Sequence, residues 1–165
     1  MPLPALIASA ALAAAFDHRG SACAVAAPGF GFSAASSSAA VPVVGTRWTG
    51  TLGGGVAIDD DGRELMLLAR VSGRGSAVDV AALLGLRAYF RGGEERWRTF
   101  FDVQLAVPVW PVPLVGPRVA AGVQYEFHPA AGAFCAAGVQ LGLGSAILIA
   151  TDLSCGVQLR SYLFQ

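Results

Sequence analysis

Residues 118–128 read RVAAGVQYEFH. Val119, Ala121, Val123, Tyr125 and Phe127 alternate with Arg118, Ala120, Gly122, Gln124, Glu126 and His128. Successive side chains of an extended chain point to opposite faces, so this alternation marks a β-strand with one apolar and one polar face. The run 128–132, His-Pro-Ala-Ala-Gly, then turns the chain.

The same period of two runs through six other segments. Before the quoted stretch, Trp48, Leu52, Val56 and Ile58 oppose Arg47, Thr49, Thr51 and Asp59. Leu65, Leu67, Ala69 and Val71 oppose Glu64 and Arg70. Val78 to Phe90, taken at every second position, opposes Asp79, Gly85, Arg87 and Tyr89. Trp97, Phe101, Val103, Leu105, Val107 and Val109 oppose Arg96, Arg98, Asp102 and Gln104, with Pro108 expected to bend or end that strand. After it, Cys135, Ala137, Val139, Leu141 and Leu143 oppose Phe134, Gly138, Gln140, Gly142 and Gly144. Ile147, Ile149, Leu153, Cys155, Val157 and Leu159 oppose Asp152, Ser154, Gly156, Gln158 and Arg160. Turn signals separate the segments: residues 59–62, 72–76, 91–95 and a loop at 110–113. Segments joined this closely pair as antiparallel neighbours, which makes an up-and-down meander.

These segments exceed the roughly 5–6 residues usual in soluble sheets and match the roughly 9–11 that a tilted strand needs to cross a bilayer. Hydrophobic residues make up 55% of the 165, charged residues only 13%, against about 25% charged in average soluble domains. One face of each segment is free of charge, and the other mixes Gly, Ala, Thr and Gln with single charges. A barrel in lipid turns its apolar face outward and a barrel in water turns it inward. The sparse charge favours the first arrangement. The expected fold is all-β: an up-and-down antiparallel transmembrane β-barrel of about eight strands. Its interior would hold a charge network of Arg70, Asp79, Arg87, Arg98, Asp102, Arg118, Glu126, Asp152 and Arg160. Its rims would carry an aromatic girdle of Trp48, Phe90, Trp97, Trp110, Tyr125, Phe127, Tyr162 and Phe164. Seven strands are visible, and since single-chain bacterial barrels have even numbers, the eighth is expected within residues 24–44.

Residues 47–165, with their short turns and near-terminal Tyr162-Leu163-Phe164, resemble the small bacterial outer-membrane barrels of the OmpA/OmpX type. The resemblance implies an outer-membrane location, lipid as surroundings, and the barrel-assembly machinery as a partner that reads a terminal aromatic residue. Here Gln165 follows Phe164, a departure from that ending.

Residues 1–23 are expected to be a signal or export segment, since the Ala/Leu stretch from Pro2 to Phe16 has the length of a secretory apolar region, though no basic residue precedes it. Residues 24–165 then form the barrel, with the small-residue run 33–40 read as a loop. Cys23 only loosely resembles a lipoprotein acylation site, because Gly20 stands where a large aliphatic belongs. Cys135 and Cys155 would face each other if their turn centres on Ser145, which permits a disulfide. Two unbonded small residues on the apolar face is the simpler reading.

Zero formal net charge argues against a nucleic-acid partner. His18 and His128 form no catalytic arrangement, Gly53-Gly54-Gly55 lacks the Lys and helix of a phosphate loop, and Asp59-Asp60-Asp61 lacks the spaced ligands of a calcium loop. No enzyme, metal or cofactor is expected. A structural or interaction barrel is the first functional reading, with the ligand left open. A narrow ion or solute pore and a soluble lipocalin-like barrel are the alternatives.

Overall fold

The computed structural model of the protein describes residues 20–37, 40–58, 63–90, 96–110, 114–144 and 146–162. Its eight strands are β1 (Ser21–Ser37), β2 (Ala40–Ala57), β3 (Glu64–Arg74), β4 (Ala77–Tyr89), β5 (Trp97–Trp110), β6 (Gly116–His128), β7 (Ala131–Leu143) and β8 (Ile147–Tyr162). Each pairs antiparallel with its neighbour in sequence, and β1 pairs antiparallel with β8 from Ser21↔Tyr162 to Ser36↔Ile147, so the sheet closes on itself. Closure leaves no open strand edge.

The two faces divide by chemistry. Leu52, Leu67, Leu84, Leu105, Val119, Val123, Phe127 and Leu159 project outward and are exposed. Among the described strand residues, no Arg, Asp or Glu lies on the outward face. Arg70, Arg87, Arg118, Asp102, Gln140 and Gln158 project inward and are buried. This is the inverse of a soluble barrel, and a lipocalin-like arrangement, which needs the Val/Leu face inside, is not what this chain adopts.

The structure refines several sequence expectations. The barrel begins at Ser21, not at residue 24, and Cys23 is a buried inward residue of β1. The rest of the expected export segment, residues 1–19, lies outside the described residues. Residues 33–37 and 40 are strand, not loop: Ser33 and Ala34 continue β1 opposite Gly45 and Val44. Ala and Ser differ too little in polarity to show an alternation there. Of the two outcomes expected at Pro108, the strand bends and does not end. Val80 pairs with Trp110 and Ala81 with Pro108, so Val109 is an extra bulged residue and β5 runs on to Trp110. The expected turns at 72–76 and 128–132 shrink to Gly75-Ser76 and Pro129-Ala130, and Gly75 has a φ of 59° that only glycine adopts freely.

Interior glycines let large side chains share a narrow tube. A Cβ on Gly122 would collide with the ring of Phe100 and lie 2.6 Å from the Cys135 carbonyl oxygen. Gly122→Ala is therefore expected to destabilise the barrel by about 1–3 kcal/mol, the usual range for overpacking. Urea unfolding of the refolded protein would register it, and a wild-type midpoint would contradict this packing.

Cys135 and Cys155 are direct register partners on the outward face and are joined by a disulfide. The unbonded pair favoured from the sequence is thus replaced by a bonded one, still on the apolar face. Protein purified without reductant should weigh two hydrogens less than after reduction and should leave one cysteine, Cys23, to alkylate on unfolding. Three alkylated cysteines without reductant would show the bond does not form.

Candidate functional site

The barrel interior is the only place where the described chain concentrates polar chemistry. Strand parity puts every second residue of eight strands into a tube too narrow to hydrate them separately, so their charges must find one another. Arg87 of β4 sits near the middle. Its Nε and Nη2 donate to the two carboxylate oxygens of Asp102 on β5, at 2.8 and 2.9 Å. Its Nη1 reaches Gln158 on β8 at 3.2 Å. The guanidinium also lies 4.1 Å above the Phe100 ring centre and 5.3 Å from that of Phe134. The fork therefore matches a carboxylate while its face is covered by aromatic rings, the geometry that arginine suits better than lysine.

Toward the end bearing the chain termini, Glu64 of β3 is the hub. It accepts from Arg160 of β8 at 2.5 Å, from Gln158 at 3.3 Å, from the Tyr89 hydroxyl at 3.3 Å and from the Cys23 thiol at 3.7 Å. Arg98 and Glu126 pair at 3.6 Å, and Gln124 donates to Glu126 at 3.1 Å. Toward the opposite end, Asp152 of β8 takes two guanidinium groups, Arg70 at 2.8 Å and Arg118 at 2.9 Å. Arg118 donates also to Gln104 at 2.9 Å, and Arg47 to the Ser72 hydroxyl at 2.7 Å. Gly138 leaves the room for Arg118, whose Nη2 is 2.7 Å from where a Cβ would stand.

Of the nine residues expected to form the charge network, the structure brings eight into ion pairs. Asp79 alone has none among the described residues and stands half-buried near the end of the tube remote from the termini. Glu64, paired with Arg160, belongs with the eight, and Arg47 joins the interior through the Ser72 hydroxyl; strand parity already placed both on the polar face. Gln104, Gln124 and Gln158 link the pairs. The interior also holds a buried apolar cluster that the sequence did not announce, including Val25, Met66, Leu68, Leu83, Phe100 and Phe134. Phe100 falls between Arg98 and Asp102 in parity, so its inward direction was readable. Met66 and Leu68 sit in the run 65–68, apolar on both faces, where no contrast separates inside from outside.

Of the expected aromatic girdle, Phe90, Trp97 and Phe127 are exposed near the terminus-bearing end, where Trp97 also packs on Tyr125 with ring centres 4.8 Å apart. Trp48 covers Gly73, near the opposite end of β3. Trp110 and Tyr162 are strand-end residues, and Phe164 lies outside the described residues. Phe30, Phe32 and Phe101 add outward aromatics that the girdle reading omitted.

No protein-family model matches the chain, and no curated protein matches it in sequence. Solved structures do share the architecture. Neisserial surface protein A is similar with a TM-score of 0.67 and 14% identity, over 84% of this chain and 97% of that one. The outer membrane protein OprG from Pseudomonas aeruginosa gives 0.56 and 10%, over 88% and 98%. The N-terminal β-barrel domain of Pseudomonas aeruginosa OprF gives 0.54 and 17%, over 82% and 97%. The fold is that of the small bacterial outer-membrane barrels.

For a barrel of this kind the inner ion pairs are a test of the packing. Arg87→Met leaves Asp102 as an uncompensated buried carboxylate and is expected to cost about 3–5 kcal/mol in urea unfolding. The double variant Arg87→Met with Asp102→Leu should recover most of that loss, because an apolar pair of similar volume replaces the ion pair. Equal losses in the single and double variants would mean the pair is not the source.

Proposed function

We propose that this chain is a bacterial outer-membrane barrel with a structural or interaction role, its lumen filled by polar and charged side chains and closed to ion flow. The uncharged outward face supports the location, since a charged side chain facing lipid at mid-bilayer costs about 2–4 kcal/mol for Arg or Lys in such barrels. The likeness to small outer-membrane barrels points the same way. Lipid of that membrane and the barrel-assembly machinery are the implied partners.

One observation carries the closed lumen: polar contacts cross the tube between strands that are not neighbours. Arg87 of β4 and Tyr89 of β4 both reach Gln158 of β8, and Tyr89 also reaches Gln124 of β6 at 3.2 Å. Glu64 of β3 meets Arg160 of β8, and Arg70 of β3 meets Asp152 of β8. The space left among Arg87, Asp102, Gln104 and Phe134 is about 20 Å³. That is room for about one water molecule, not for a hydrated ion. Buried charge in a membrane protein is often functional, and here the pairing across the tube supports a role in holding the wall together.

The refolded protein should migrate differently on a gel before and after heating and should need detergent or lipid to stay in solution. In planar bilayers it should show no conductance steps. Recovery as a soluble monomer without detergent would remove the membrane reading. Steps that disappear on neutralising Arg87 or Arg118 would establish the narrow pore instead.

A further inference from the structure

The charge balance inside the barrel is uneven along its axis. In the middle and at the terminus-bearing end, each inner guanidinium has its own carboxylate: Arg87 with Asp102, Arg98 with Glu126, and Arg160 with Glu64. Toward the other mouth, Arg70 and Arg118 share the single carboxylate of Asp152, and Arg47 bonds to a neutral hydroxyl. Arg74 and Asp79, one of each sign, stand at the rim. Two positive charges are therefore in excess there. The connections at that mouth, residues 38–39, 75–76, 111–115 and 144–146, contain no acidic residue to offset them.

These groups surround a cavity. A space of about 180 Å³ opens at this mouth, with Ser33, Arg47, Arg70, Ser72, Arg74 and Gln140 in its polar lining and Asp79 as its one carboxylate. Arg70 and Arg47 are more than nine-tenths buried. Among the described residues, Arg47 Nε, Arg70 Nε and Nη1, and Arg118 Nε have no hydrogen-bond partner. An unpaired donor on a buried charged group costs more than a neutral one; Arg160 Nη2 at the other end is unpaired too, and what sets this mouth apart is that its unpaired donors coincide with a positive excess that the carboxylates of Asp79 and Asp152 do not cancel.

We propose that this mouth binds one phosphate group, either free or carried on a lipid headgroup. Arginine forks are matched to the oxygens of phosphate and carboxylate. The donors here come from β1, β2, β3 and β7 and enclose the space from several sides, which suits a tetrahedral anion with oxygens in several directions over a planar carboxylate. Apolar Ala35, Ala77 and Leu114 in the same wall lower the local dielectric and strengthen the attraction.

The full chain, isotope-labelled and refolded in maltoside micelles that contain no phosphate, provides the test at constant ionic strength. Titration with inorganic phosphate should move the amide signals of Ser72, Gln140 and Arg47 saturably, while those around Arg160 stay still. Arg47→Gln should weaken binding about tenfold or more, the loss of one charge-assisted contact. Asp79→Asn removes a repelling charge and should tighten it, which keeps the idea testable if Arg47→Gln does not fold. Arg63→Gln, at the opposite end, should change nothing. Shifts produced by a short-chain phosphatidylglycerol but not by inorganic phosphate would assign the phosphate to a lipid headgroup. No saturable shift with either, or a response the same in Arg47→Gln, Asp79→Asn and the parent chain, would overturn the proposal. Each of those results is independent of whether the barrel conducts.

Discussion

The pairing of Arg87 with Asp102 shows the constraint under which the whole molecule is built. A closed eight-stranded sheet has an interior just wide enough for side chains to fill. Any charge placed there loses most of its water, and only an opposite charge with good hydrogen-bond geometry compensates. Arg87 meets this with two bonds to one carboxylate, a glutamine across the tube and aromatic rings on its faces. Glu64 meets it from the other sign, collecting donors from β1, β4 and β8. Interior glycines follow from the same constraint, because Phe100 and Arg118 occupy volume that a methyl group on Gly122 or Gly138 would claim.

The wall and its contents therefore specify each other. The ladder between neighbouring strands would permit many registers by hydrogen bonding alone. A slip of one residue would turn Arg87 and Asp152 outward and Leu84 and Leu153 inward. Contacts such as Tyr89 with Gln124 and Gln158 tie together strands that never touch along the sheet. They give the tube a cross-section as well as a circumference.

How much of this was readable depended on contrast. Where large apolar residues alternated with charge, as in residues 118–128, both the strand and the direction of its faces followed from the chain alone. Where contrast vanished, direction vanished with it: the Ala/Ser run at 33–40 looked like a loop, and the doubly apolar run at 65–68 hid Met66 and Leu68 inside the tube. Parity identified which charges share the interior but not their partners, since partnership across the tube depends on the stagger of strands far apart in sequence. That is why Glu64 and Arg47 stood on the correct face yet outside the expected network. Pro108 marked the bend but not its form: the strand bulges at Val109 and runs on to Trp110, and bulges leave little trace in composition.

The seam between β1 and β8 has a temporal side. Ser21 must find Tyr162, nearly the full length of the described chain away, before the ring exists. Synthesis delivers β1 before its second neighbour β8, so until β8 is made one flank of β1 is a bare ladder, and an unclosed hairpin shows a greasy surface to water. Contacts of such long sequence separation form slowly, and an open apolar strand edge invites foreign strands. Closing the seam removes that edge, and an exterior without charge is then matched to hydrocarbon and not to water.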